Sequence, residues 1–154
     1  DFEKVLERYQ KSLTGSYQKK QGEDVRSILS GILQPKGRVH FEICTQVDPS
    51  ELMAFQNLTQ SEYHQQVARI IDQRIRSHYR LWPNNYIAHD LLYGQTTYSR
   101  LYNAEQKETF EKRIETLLQV AHQQLEGEID DEKLQEMFLE IYANPVKNKQ
   151  YGLE

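Results

Sequence analysis

Apolar residues recur along most of the chain at the spacing that gathers them on one face of an α-helix. Phe2, Val5, Leu6, Tyr9 and Leu13 form the first such stripe, and Gly15 offers a stop. A polar loop from Ser16 to Gly22 follows. Val25, Ile28, Leu29 and Ile32 repeat the spacing and run into Gln34-Pro35-Lys36-Gly37, a sequence suited to a type I turn. The period then changes. From Arg38 to Cys44 polar and apolar residues alternate, with Val39, Phe41 and Ile43 on one side, which predicts a half-buried strand over 38–44. A lone strand leaves backbone donors and acceptors unpaired, so its partners are expected in a sheet outside this chain.

Helical spacing returns after that. Asp48-Pro49-Ser50-Glu51 reads as a capped start of a short helix reaching about Gln56, and a long helix is expected over about 60–80. On the long helix Val67, Ile71 and Ile75 line the expected core side, with His64, Ala68 and His78 beside them. Arg69, Arg76 and Arg80 stack opposite, diluted by Glu62 and Asp72. Pro83 breaks the pattern, and Asn84 or Asn85 caps a helix carrying Ile87, Leu91 and Leu92 that ends at Gly94. Asn103 with Gln106 opens a helix striped by Phe110, Ile114, Leu117, Leu118, Ala121 and Leu125, ending at Gly127. Asp130 caps a last helix with Leu134, Met137, Phe138 and Ile141, stapled by Ile129 and closed by Asn144-Pro145.

The expected class is therefore mainly α, α+β at most, with about six helices and one isolated strand near 38–44. Its expected division is 1–45 as the end of an upstream catalytic domain or its connection, 46–144 as a helical C-terminal domain, and 145–154 as a polar tail. An opening at Asp1, already inside a helical pattern and without an initiator Met, fits a chain continued upstream.

Composition narrows the function. At 154 residues the chain is long enough for one domain with a real core. A net charge of −4 opposes general nucleic-acid binding, so no nucleic-acid partner is expected. A single Cys44 excludes an internal disulfide and any Cys-based zinc site. No apolar run is long enough for a membrane span and no signal peptide pattern stands at the start, so a cytoplasmic place is expected, with any membrane contact peripheral.

The chemistry is sparse. No Gly-rich phosphate loop, Gly-x-Ser-x-Gly elbow or HExxH pattern occurs, so no catalytic residue, metal or cofactor is expected. The stretch Arg76–Asp90 is the most distinctive, holding the only Trp, two His and a Pro-Asn-Asn break. Pro83, Asn84, Asn85, His89 and Asp90 read as a structural hinge, because sequence neighbours on a helix point about 100° apart and do not form a dyad by themselves. Lys36, Arg38, Arg69, Arg76 and Arg80, with Trp82 as an interfacial anchor, are the candidates for contact with a lipid phosphate or membrane surface.

Three strings, GEDVRSILSGILQPKGRVHFEI (Gly22–Ile43), IIDQRIRSHYRLWPNNYIAHDLL (Ile70–Leu92) and FLEIYANPVKNK near the end, resemble the C-terminal portion of bacterial glycerol-phosphate (1-acylglycerol-3-phosphate type) acyltransferases. The resemblance covers nearly the whole chain. It implies acyl transfer from a thioester to a glycerol-phosphate hydroxyl, activated by a His with four residues between it and an Asp. From each His here that position holds Thr45, Arg69, Pro83, Gly94 or Gly127, never Asp. The family's Glu-Gly phosphate-binding motif is also expected to be absent, since Gly22 precedes Glu23 rather than following it. The resemblance thus implies a non-catalytic part, inactive alone, whose partners are the catalytic domain of the same protein, an anionic membrane at its inner face and, through the parent, acyl-CoA or acyl carrier protein. Strand 38–44 would extend that domain's sheet. Two other readings stand beside it: a self-contained helical interaction module using Tyr86, Tyr93, Tyr98 and Tyr102, and a metal-independent hydrolase using His89 and Asp90.

Overall fold

The structure, a computed structural model, describes residues 1–19, 21–34 and 37–151. Pro35 and Lys36, and with them the expected type I turn, lie outside the described residues, as do the last three residues of the tail. The fold is mainly α. Among the described residues the helices are α1 (Phe2–Thr14), α2 (Glu23–Leu33), α3 (Pro49–Met53), α4 (Gln60–His78), α5 (Pro83–Leu92), α6 (Ala104–Gln124) and α7 (Asp131–Tyr151), with a short 3-10 turn at Ser99–Leu101.

Helix ends follow local chemistry. Asp48 and Glu51 close a capping box on α3, as do Thr59 and Glu62 on α4 and Asn103 and Gln106 on α6. At α5 the cap lies two or three residues earlier than the asparagines suggest. Pro83 takes the first helical position, Trp82 is the cap, and Asn85 accepts from the Trp82 N–H at 2.8 Å. Gly94, at φ 58°, ends α5: its N–H donates to the Leu91 carbonyl and Gln95 N–H to the Asp90 carbonyl, a pairing that needs a left-handed residue. Asp130 Oδ1 accepts from Lys133 N–H at the start of α7.

The chain groups into two compact units, residues 1–38 with 82–144, and residues 39–81 with 145–154. The first holds the core. Val5, Leu6 and Tyr9 of α1, Ile87 and Ala88 of α5, Phe110, Ile114, Leu117 and Ala121 of α6, and Leu134, Phe138, Leu139 and Ala143 of α7 are all buried. Most belong to the stripes read from the sequence; Leu13 and Ile141, read with them, are 58% and 38% exposed, and Ala88, Leu139 and Ala143 join the core from outside those stripes. Phe138 lies at its centre, 5.8 Å from Phe2, 5.8 Å from Phe110 and 5.2 Å from Tyr142 between ring centroids. Tilted and edge-on rings of this kind add about 0.5–1.5 kcal/mol per pair beyond the area they bury. The buried phenol of Tyr9 is satisfied by accepting from Asp130 N–H at 2.8 Å.

The second unit has little core. Among its described residues Val146 alone is buried. Polar contacts join its parts: Arg74 Nη2 donates to both Glu51 oxygens at 2.7 and 2.6 Å, Cys44 Sγ lies 3.7 Å from the Arg74 carbonyl, Lys149 Nζ donates to the Ser77 and Tyr79 carbonyls, and Tyr79 Oη donates to the Pro145 carbonyl.

Three expectations are corrected. First, residues 38–44 form no strand; no described residue of that segment has a backbone ladder partner. Alternation selects side chains for a pleated surface, but a strand exists only when another edge completes its hydrogen bonds. Second, the sheltered side of α4 is not Ile71 and Ile75, which are 43% and 50% exposed, but Tyr63, Val67, Ile70, Arg74 and Ser77. Third, Pro145 does not close α7, which continues to Tyr151. A proline inside a helix removes one N–H and crowds the preceding turn. Here Val146 is buried and the Pro145 carbonyl accepts from Tyr79, so contacts made by the next turn offset that cost.

Candidate functional site

The residues expected at a lipid-facing site fall in different units. Arg38 and Trp82 belong to the first, where the Arg38 guanidinium carbon lies 6.0 Å from the indole centroid, at the outer limit of a cation–π contact. Arg69, Arg76 and Arg80 belong to the second. Arg69 is exposed, Arg76 Nη2 lies 3.4 Å from Asp72 one helical turn back, and Arg80 is exposed beyond the end of α4. A cleft of about 480 Å³ in that unit is lined by Asp72, Ile75, Arg76, Tyr79, Pro145 and Asn148. Among the described residues its one cation faces a carboxylate, which weakens it as an anion site.

His89 and Asp90 sit side by side in the last turn of α5 with different employment. Asp90 is buried; its carboxylate accepts from Tyr98 N–H at 3.0 and 3.2 Å and from Tyr102 Oη at 2.9 Å, which fixes the 95–102 connection against α5. Burial and that carboxylate push the Tyr102 phenol above its ordinary pKa. His89 Nδ1 is 3.8 Å from Asp90 Oδ1, too long for a hydrogen bond, while its ring packs at 4.7 Å on Tyr93 and 5.0 Å on Tyr98. Tyr86 stacks on Tyr98 at 5.2 Å. Both His89-Asp90 chemistry and a tyrosine docking patch lose force here, because these groups are engaged in holding one another. Pro83, Asn84, Asn85, His89 and Asp90 all lie on α5 itself, and Asn85 Nδ2 donates to the Tyr142 carbonyl of α7 at 2.9 Å.

The remaining histidines do not converge. His40 pairs with Glu42 at 2.9 Å, His78 Nδ1 contacts the Arg74 carbonyl at 2.9 Å, and His122 pairs with Asp131 at 2.8 Å. His64 and His78 are exposed rather than set at the edge of a core. Among the described residues no cluster of His, Cys, Asp and Glu is arranged to hold a metal ion, and no helix is long and apolar enough to cross a membrane.

A Glu-Gly step does stand at Glu126-Gly127, in the loop between α6 and α7. Its Glu126, but not Gly127, lines a cavity of about 290 Å³ beside the end of α1, with Glu128, Tyr9, Leu13, Tyr17 and Ile129. Among the described residues two carboxylates and no Lys or Arg line this cavity, an environment that disfavours phosphate. Tyr17 at its margin donates to Glu23 at 2.8 Å; burial and the Glu23 carboxylate push its phenol up to about 12.

What the sequence did not announce is uncovered apolar surface. On α2, Val25, Ile28, Leu29 and Ile32, the stripe that predicted the helix, are 61%, 61%, 50% and 67% exposed, and Leu33 beside them is 79% exposed. In the second unit Val39, Phe41 and Ile43 are 77%, 85% and 83% exposed. Contiguous apolar faces of this kind mark sites where another surface packs. Comparison with protein-family models, curated proteins and solved structures finds no match to this chain.

Proposed function

We propose that the chain is the non-catalytic, helical C-terminal portion of a phospholipid-biosynthesis acyltransferase, working as support for a catalytic domain that carries out acyl transfer to a glycerol-phosphate hydroxyl. The observation that carries this reading is the bare apolar stripe of α2. An amphipathic helix whose stripe is half or more exposed is an element of an interface, and in this proposal the catalytic domain covers it. The three strings that resemble acyltransferase C-terminal sequence name the kind of domain. The lack of any His-x4-Asp step and of any converging histidines fits a supporting part rather than a catalytic one. Acyl-CoA or acyl carrier protein would then meet only the parent enzyme, at the inner face of the membrane, with Arg69, Arg76 and Arg80 as exposed or half-exposed cations for anionic headgroups.

The test is acyl transfer from acyl-CoA and acyl carrier protein to glycerol phosphate and its monoacyl ester, assayed for this chain and for the complete reading frame that contains it. The chain alone is expected to be inert and the complete protein active. Turnover by the chain alone overturns the supporting role; a reading frame with no His-x4-Asp step, or with no turnover, overturns the acyltransferase assignment. Arg76→Glu with Arg80→Glu in the complete protein is expected to weaken binding to anionic vesicles, and unchanged binding removes those residues from the membrane contact.

A further inference from the structure

Residues 39–44 offer a surface of a different kind from α2, because here the backbone lacks a backbone partner among the described residues while the apolar side chains Val39, Phe41 and Ile43 stand exposed. Among the described residues no backbone–backbone hydrogen bond involves residues 39–47, and the segment runs without turn or bend. The His40–Glu42 pair at 2.9 Å shows that alternate residues share a side, as on a strand. Val39, Phe41 and Ile43 take the other side and are more than three-quarters exposed. An unpaired, alternating, apolar-sided segment is a template for one more strand.

The residue order says which strand. If two copies of this segment meet antiparallel with Phe41 opposite Phe41, each residue before 41 faces the one equally far beyond it in the partner copy. On the polar side His40 then faces Glu42 twice, a donor or cation against a carboxylate at both positions. On the apolar side Val39 faces Ile43 twice, and the two Phe41 rings meet at the centre. The pattern is self-complementary in charge and in hydrophobicity at this single antiparallel register, and a one-residue slip sets apolar side chains against the polar side. From this we infer that residues 39–43 are a self-association site, at which two copies of the chain join by antiparallel strand pairing about Phe41. The inference stands apart from the acyltransferase reading and does not depend on it. A ribbon of two short strands is a small interface, so association is expected to be weak and reversible.

The measurement is molecular mass by sedimentation equilibrium over a wide range of chain concentration. Wild-type mass should rise toward that of a dimer, and Phe41→Asp should remain monomeric; the ring is exposed in the single chain, so the fold survives the change, checked by circular dichroism. Charge register gives the sharper test. His40→Glu sets two carboxylates opposite each other at both polar positions of the ribbon, and Glu42→Lys sets an ammonium opposite His40 at both. Each variant alone should therefore dimerise about tenfold more weakly than wild type. In an equal mixture the carboxylate introduced in one chain meets the ammonium introduced in the other, while the unaltered His40 and Glu42 face each other, so association should recover. A chain that stays monomeric at every concentration overturns the inference. So does a mixture no better than its components, or amide protection over 39–44 that arises only when a sheet from another protein segment is present.

Discussion

The two compact units of this chain are built on opposite principles. The first buries an aromatic and aliphatic core shared by α1, α5, α6 and α7, whereas the second, with Val146 as its one buried described residue, is joined by ions and carbonyls. Buried apolar area is worth about 25 cal/mol per Å² and depends little on salt or pH, while exposed and half-exposed ionic contacts are weak and depend on both. The first unit should therefore behave as the stable body of the chain and the second as a region that opens more readily.

That contrast is broken most directly at its centre. Phe138→Ala is expected to cost about 3–5 kcal/mol in denaturant unfolding, against less than about 0.5 kcal/mol for Ile75→Ala on the exposed side of α4; equal costs would mean that the second unit hides a core of its own. The next largest effect tests the polar exception within the first unit. Asp90→Ala strands the Tyr98 N–H and Tyr102 hydroxyl and should cost about 2–3 kcal/mol, with loss of amide protection at Tyr98.

The acid limb separates the units by pH. Arg74, and then the Asp48 N–H, hold the Glu51 carboxyl below its ordinary value of 4.5. A carboxylate with a depressed folded-state pKa contributes fully above the unfolded value and loses that contribution as pH falls through the folded one. Hydrogen exchange at α3 and α4 should accordingly quicken below about pH 4.5 while α6 and the part of α7 up to Asn144 stay protected; Glu51→Gln should shrink the acid step, the remainder coming from Asp48 and Glu62, whose carboxyls are held low by Ser50 and Thr59. The smallest effect is spectroscopic. Tyr17 should ionise near 12 rather than 10, with Glu23→Gln bringing it down, because a raised phenol pKa stabilises the fold below 10 and loses that contribution between 10 and 12.

The same division explains what could be read from residues alone. Helices α1, α6 and α7 were legible because their stripes are the core, and Asn103 with Gln106, or Asp130, marks a start by bonds confined to one turn. Such signals are local. The sheltered side of α4 was not legible, since it turns on Arg74 meeting Glu51 across 23 residues, and no periodicity encodes a long-range ion pair. Residues 38–44 carry a true alternation but no partner edge, so the pattern predicted a strand that the described chain does not complete. At Pro145 the usual stop was overridden by the burial of Val146 and the bond from Tyr79. For the candidate site, Arg69 and Arg76 lie on α4 and Arg80 just beyond its end, and the grouping of these cations into a different unit from Arg38 and Trp82 depends on packing that residue order does not reveal. The bare face of α2 was also invisible, because a stripe that forms a helix reads the same whether covered or not.

The contact between Arg38 and Trp82 makes the molecule self-reporting. Trp82 is the chain's only tryptophan, so long-wavelength excitation selects one indole without any attached dye. Arg38 lies over that indole and immediately precedes Val39. Joining the 39–43 segment to another strand fixes the residue beside it. If the 39–43 segment pairs as inferred, the emission maximum and anisotropy of an unmodified sample are therefore expected to change with its occupancy, from a fluorophore the segment itself does not contain.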